Sequence, residues 1–190
     1  MNTTQQLQSD LDYVAAAVRR REPDPGVPAI YVLWAILVLI GFALPDFAPR
    51  MAGAYWFIAG IGGGLLSWWM GARDSRRRGL HDRELGKRYG LHWGIAGLAY
   101  FLTGLPMLVQ GPTDASAAAF LLTTAIVYAL AGVHLIRPLL WCGLLAFAGY
   151  VVLLVFAPPY AWTTTGVLMS ACLAWAGWLA ARGRAAGSAQ

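Results

Sequence analysis

The sequence predicts an all-α polytopic integral membrane protein: six transmembrane helices, both termini cytoplasmic, preceded by a short cytoplasmic amphipathic helix. Three observations carry that prediction. Apolar residues make up 58% of the 190-residue chain and charged residues only 12%, about half the charged share of a soluble domain. The mean hydropathy of +0.56 means more apolar surface than a soluble domain of this length can hide. The apolar residues fall into six stretches near the roughly 20 residues that cross a hydrocarbon core about 30 Å thick, and the basic residues collect at alternate connections between them.

Residues 1–26 read as a cytoplasmic helix and a proline-rich linker. Thr3 and Gln6 fit a capping box. Leu7, Leu11, Val14 and Val18 recur at spacings of four, three and four, which puts them on one face. Asp10 and Asp12 lie early and Arg19–Arg21 late, as the helix dipole favours, and Pro23 and Pro25 end the pattern. The apolar face is narrow and the stretch 1–22 has no net charge. The helix is therefore expected to lie on the membrane surface or the inner loops, or to dock a partner protein.

The membrane domain spans 27–182, with a short tail at 183–190. Its spans are expected at 28–44, 51–70, 91–109, 115–135, 138–157 and 160–181. They must be helices, because hydrocarbon offers no water to open backbone groups, and the alternating pattern of an outer-membrane barrel is absent. The breakers "LPDFAPR", "QGPTD", "IRP" and "APPY" separate them. Pro138 suits a first helical turn. Pro106 is expected to kink the third span beside Thr103 and Gly104. A polar segment precedes the first span and no small-residue cleavage site follows it, so that span reads as a retained anchor.

The connection 71–90 is expected to be a basic cytoplasmic loop. It holds Arg73, Arg76, Arg77, Arg78, Arg83, Lys87 and Arg88, seven of the fourteen basic residues in the chain. With this loop inside, alternation puts thirteen basic residues in the cytoplasm and Arg50 alone outside. Basic residues in short loops resist translocation, so the loop sets orientation. The richness in Ala, Gly and Arg points to a bacterial inner membrane. Asp74, Asp82 and Glu84 leave the loop at net +4, enough to attract anionic membrane lipid at about 1 kcal/mol per basic residue, or an acidic partner. Without interleaved aromatics or a recognition fold, nucleic acid is not expected. His81 reads as solvated. Trp68, Trp69, Trp93, Trp141 and Trp178 fall at inner span ends, and Tyr55, Trp56, Tyr160 and Trp162 at outer ends, where indole and phenol favour the headgroups.

Inside the spans there is no Asp, Glu, Lys or Arg, which argues against a proton-driven antiporter or charge-gated channel. A carrier for a small neutral solute remains, with a site among Trp34, Trp175, Thr123, Thr124 and Thr163–Thr165. Small residues predict close helix packing. Ala59, Gly63, Ser67 and Gly71 form one ridge and Gly60 and Gly64 another; Gly90 and Gly94, and Gly166, Ser170 and Ala174, repeat the pattern. Packing within the monomer is expected, with homodimerisation the alternative. Cys142 is expected shallow and Cys172 near mid-depth, two apolar fillers with no disulfide and no metal role.

His92 opens the third span and His134 closes the fourth, both at the inner face on antiparallel neighbours. Two imidazoles there could ligate a haem iron; the plainer reading is a pair of interfacial histidines bonded to headgroups or backbone. There is no Gly-x-Ser-x-Gly elbow, no HExxH and no paired carboxylate at membrane depth, and "GIGGG" lacks the lysine and strand of a nucleotide loop. No enzyme is expected. "LWAILVLIG" with "FAPRMAGAYW" and "LWCGLLAFAG" with "FAPPYAW" raise a duplication of two-helix units. In size, span count and inward termini the chain is similar to the substrate-binding subunits of energy-coupling-factor vitamin transporters, a likeness of layout that transfers no residue. The expected function is a non-enzymatic membrane protein that regulates or scaffolds a partner through its N-terminal helix and basic loop. The alternatives are a neutral-solute carrier or transporter subunit, and a haem-binding membrane protein.

Overall fold

Long apolar stretches punctuated by proline and glycine give a chain in which every regular element among the described residues is helical. The computed structural model describes residues 6, 8, 26–78 and 83–188. In chain order the helices are α1 (Pro28–Phe47), α2 (Pro49–Arg78), α3 (Arg83–Gly104), the single turn α4 (Met107–Gln110), α5 (Asp114–His134), α6 (Arg137–Phe156) and α7 (Ala161–Ser188). Five stretches are long and apolar enough to cross a membrane: Pro28–Phe47, Glu84–Gln110, Asp114–His134, Arg137–Phe156 and Ala161–Ala185. α2 is long enough but is not among them, since the glycines and indoles of "AGIGGGLLSWWM" dilute its apolar character.

The boundaries have local causes. Pro28 and Pro138 sit in first turns, where a missing N–H is harmless. Ala48 alone joins α1 to α2, its N–H on Leu44 O at 2.7 Å, so the two helices form a tight antiparallel hairpin. α3 stops at Gly104 and restarts after Pro106 as α4, so the proline interrupts the helix outright. Gly111, at φ +73°, makes the turn into α5, which Thr113 caps by accepting the Ser116 N–H at 3.1 Å. Leu135 and Ile136 alone join α5 to α6, both N–H groups bonding Ala131 O at 2.8 and 3.0 Å. Ala157 and Tyr160 bracket the two prolines before α7 at φ +40° and +60°.

Four helices, α1, α5, α6 and α7, form the centre; α2 packs on α1 and α3 on α5. α1 buries Tyr31, Ala35, Val38 and Phe42, one helical face. Glycine occupies the closest approaches. A Cβ on Gly166 would stand 2.6 Å from Phe42 Cβ, one on Gly177 2.9 Å from Tyr31 Cβ, and one on Gly143 2.7 Å from Ala129 Cα. Gly132 faces the Leu140 backbone in the same way. The outer surface is apolar: Val32, Ile36, Phe57, Ile58, Leu98, Phe101 and Leu154 are all exposed. In water such a belt would aggregate, whereas against lipid tails it is an ordinary surface.

Several expectations need correction. The stretch 71–90 is not a loop along its length: α2 continues to Arg78 and α3 begins at Arg83. Its Arg, Leu, Glu and Lys favour helix, and leaving the apolar layer does not end one. The small-residue ridges are used selectively. Ala59 and Gly63 are buried against α1, and Ser67 accepts the Trp34 Nε1–H at 2.9 Å. A Cβ at Gly60, Gly64, Gly71, Gly90 or Gly94 would meet nothing within 4 Å. Gly166 and Ser170 are packed, but Ala174 is exposed and Gly177 takes its place. Steps of four drift about 40° each around a helix of 3.6 residues per turn, so after two or three steps a four-residue ridge leaves the contact line.

The two cysteines are level, not at different depths. Cys142 Sγ lies 3.4 Å from Cys172 O and Cys172 Sγ 4.0 Å from Cys142 O, both thiols free and buried. Depth was misjudged because α7 is longer than its apolar part; the register that aligns the cysteines sets Arg137 level with Gly177, so α7 runs on roughly 16 Å beyond the start of α6. The two hairpins compared as a duplication also differ at their turns, Ala48 alone in one and 157–160 in the other.

Candidate functional site at the basic end of the bundle

The extensions of α2 and α7 past the bundle meet in one charged contact. Arg184 on α7 donates from Nη1 to Asp74 Oδ1 at 2.9 Å and from Nη2 to Asp74 Oδ2 at 3.1 Å. The same Nη2 donates to Gly26 O at 2.6 Å. A planar guanidinium suits this two-pronged contact in a way an ammonium would not. The side chains of Arg184 and Asp74 remain 26% and 20% exposed. The clamp joins the linker before α1, the end of α2 and the end of α7. Sequence spacing gave no sign of it, because the partners are 110 and 158 residues apart.

Around the clamp the other basic side chains among the described residues of 71–90 turn outward. Arg73, Arg76, Arg77, Lys87 and Arg88 are exposed. Glu84 accepts from Lys87 Nζ at 2.8 Å, a surface pair one turn apart and worth little. The Arg73 guanidinium lies 5.2 Å from the Trp69 ring centroid, and that of Arg182 3.7 Å from Trp178. Trp68, Trp69, Trp93, Trp141 and Trp178 are all exposed at this end, as indoles at a headgroup layer would be. The side chains of Arg78 and Arg83 lie outside the described residues, as do Leu7, Leu11, Val14, Val18 and His81.

His92 and His134 are brought together, ring centroids 6.2 Å apart at 70°. His92 also meets the Trp93 edge at 5.1 Å. Its Nε2 is buried without a hydrogen-bond partner among the described residues, while His134 is exposed. No group of three or more His, Cys, Asp or Glu that could hold a metal occurs among the described residues.

Of the hydroxyls assigned to a solute site, those of Thr123, Thr124, Thr163 and Thr165 are engaged within the fold. Thr124 bonds Phe120 O at 2.8 Å and receives the Tyr100 hydroxyl at 3.0 Å; Thr123 bonds Ala119 O at 2.9 Å and meets Thr103 Oγ1 at 3.0 Å. Thr165 bonds Ala161 O at 2.9 Å. Trp34 faces α2, whereas Trp175 is 41% exposed, so the two indoles do not line a common site.

The opposite end holds a structure that sequence reasoning missed. Asp46 Oδ2 accepts the Thr163 N–H at 2.7 Å and the Thr163 hydroxyl at 2.6 Å. A carboxylate at the end of α1 thus caps the N-terminus of α7, where the helix dipole favours negative charge. Beside it Phe42 stands at 5.6 Å from both Trp56 and Phe120 and 5.7 Å from Trp162. Trp162 is buried and Trp56 half-buried, so these rings form core and not the headgroup belt expected of them; Tyr160 alone of that set stands exposed. An Asp just past one span, with three threonines opening another, was the available signal.

The fold and its apolar girdle define a helical protein with helices able to cross a membrane. No family model, no curated protein and no solved structure matches the chain.

Proposed function

We propose that the chain is a non-enzymatic integral protein of a bacterial inner membrane, crossing it six times with both termini cytoplasmic, that regulates or scaffolds a partner protein at its basic end. The sixth crossing is α2: joined to α1 through Ala48 alone and hydrogen-bonded back along it by Tyr55 to Leu37 O at 2.8 Å, it traverses the same layer in reverse. The observation that carries the partner reading is the Arg184 clamp. It fixes the linker at Gly26, from which the N-terminal amphipathic segment departs, to two helices that continue past the bundle. A force or contact on that segment is thereby delivered to α1, α2 and α7 together.

The test is affinity capture from the native membrane with Leu7, Leu11, Val14 and Val18 changed to Ser, alone and together with Ala at Arg76, Arg77 and Arg88. Loss of a captured protein supports the proposal; retention of every partner by the combined variant defeats it. A second reading, a haem-binding membrane protein, draws on the closeness of His92 and His134. A Soret band in protein from haem-replete cells, lost on His92→Ala, supports it; its absence removes it.

A further inference from the structure

We propose that the exposed arginines at the basic end, Arg73, Arg76 and Arg77 from the end of α2 and Arg88 from the start of α3, bind anionic phospholipid headgroups. The inference rests on the membrane-spanning reading above and adds the chemistry of the ligand. By sequence, Asp74 and Glu84 offset part of the basic charge. In the fold both Asp74 oxygens accept from Arg184, and Glu84 accepts from Lys87. Among the described residues Arg76, Arg77 and Arg88 are exposed and have no ion pair. Guanidinium pairs with the two oxygens of a phosphodiester as it does with carboxylate.

Depth selects lipid over a soluble anion. Arg73 lies on the exposed Trp69 ring, one of the indoles at this end, and indole favours the headgroup layer. At Gly71 on α2 and at Gly86 and Gly90 on α3 a Cβ would meet nothing within 4 Å, and the exposed Leu66, Trp69 and Leu91 on the same helices offer apolar surface for acyl chains. A phospholipid matches both features at once, its phosphate with the guanidiniums and its acyl chains with the exposed apolar side chains of the same helices.

The full chain is reconstituted in nanodiscs of phosphatidylcholine with a minority of phosphatidylglycerol, and the lipids it retains are read by native mass spectrometry. The expected result is enrichment of phosphatidylglycerol over the bulk ratio, declining as salt rises. Joint substitution Arg76→Ala, Arg77→Ala and Arg88→Ala should lower the enrichment on the order of 100-fold at low salt, from the charge lost at the surface. Arg50→Ala, at the opposite end, should leave it unchanged. Wild-type retention at the bulk ratio, retention insensitive to salt, or an unchanged ratio in the triple variant overturns the proposal. So does displacement by soluble glycerol phosphate as effective as by lipid, or occupancy by an acidic protein in place of lipid. Nanodiscs expose both faces, so the result is independent of orientation and of partner capture; loss of either of those with lipid enrichment intact would sink the functional reading alone.

Discussion

Gly143→Ala should be among the most damaging single-methyl changes in the protein, and Gly60→Ala among the most benign. A Cβ on Gly143 would stand 2.7 Å from Ala129 Cα and 2.9 Å from Ala125 O, whereas carbon atoms rest about 3.5–4.0 Å apart. The obstructing atoms are backbone, so no rotamer change relieves the contact, and α5 and α6 must separate by about 1 Å. Fully buried Leu121 on α5, which stands beside Gly149 of α6, lies along that seam and would lose contacts with it. Overpacking of a core typically costs about 1–3 kcal/mol, and an immovable opposing backbone puts Gly143→Ala at about 3 kcal/mol. At Gly60 nothing lies within 4 Å; Ala there removes glycine's helix penalty of about 1 kcal/mol and should be neutral or stabilising. Unfolding in mixed micelles of dodecyl maltoside and SDS, followed by circular dichroism, measures both. Wild-type stability for Gly143→Ala would refute the packing assigned to α5 and α6. Destabilisation by Gly60→Ala would show that the open face of α2 is covered, as in a homodimer.

Arg184→Lys should cost about 1–2 kcal/mol, because an ammonium cannot hold both Asp74 oxygens and Gly26 O, while partial exposure screens the pair; a double-mutant cycle with Asp74→Ala should show coupling between the two sites. Asp46→Ala should cost about 1 kcal/mol through loss of the α7 cap, and Thr163→Val should add less to it than it costs alone, since both remove the same contact. Cys142 and Cys172, both buried, should resist maleimide in the folded protein and react once it is unfolded; rapid labelling without denaturant would contradict their position between α6 and α7.

Much of the helical layout was legible because the breakers act locally. Pro28, the breakers "LPDFAPR" and "QGPTD", and Pro138 each set a helix end near the expected position by removing a donor, supplying a cap or turning the chain, whereas Pro106, expected to kink the third span, ends α3. The closeness of His92 and His134 was also readable, since both lie near facing ends of consecutive antiparallel helices. The face on which a glycine lies was not. α2 and α3 carry glycines on several faces, so several ridges can be drawn through them, and only the neighbour decides which is used. Gly132 and Gly143 had a sequence signal that went unused: two glycines flanking a two-residue connection, where helices must come closest. The level of Cys172 was misjudged because apolar length marks the membrane and not the helix. The Arg184 clamp and the Asp46 cap join residues more than a hundred positions apart, and no local rule reaches that far.

Orientation across the bilayer is the claim on which the functional reading stands. Paired fusions test it: green fluorescent protein, which matures in the cytoplasm, or alkaline phosphatase, active only outside it, placed after Thr113 and after Gln190. Phosphatase activity after Thr113 together with fluorescence after Gln190 is the result required by six crossings with the arginine-rich end inward. Phosphatase activity after Gln190 would contradict it.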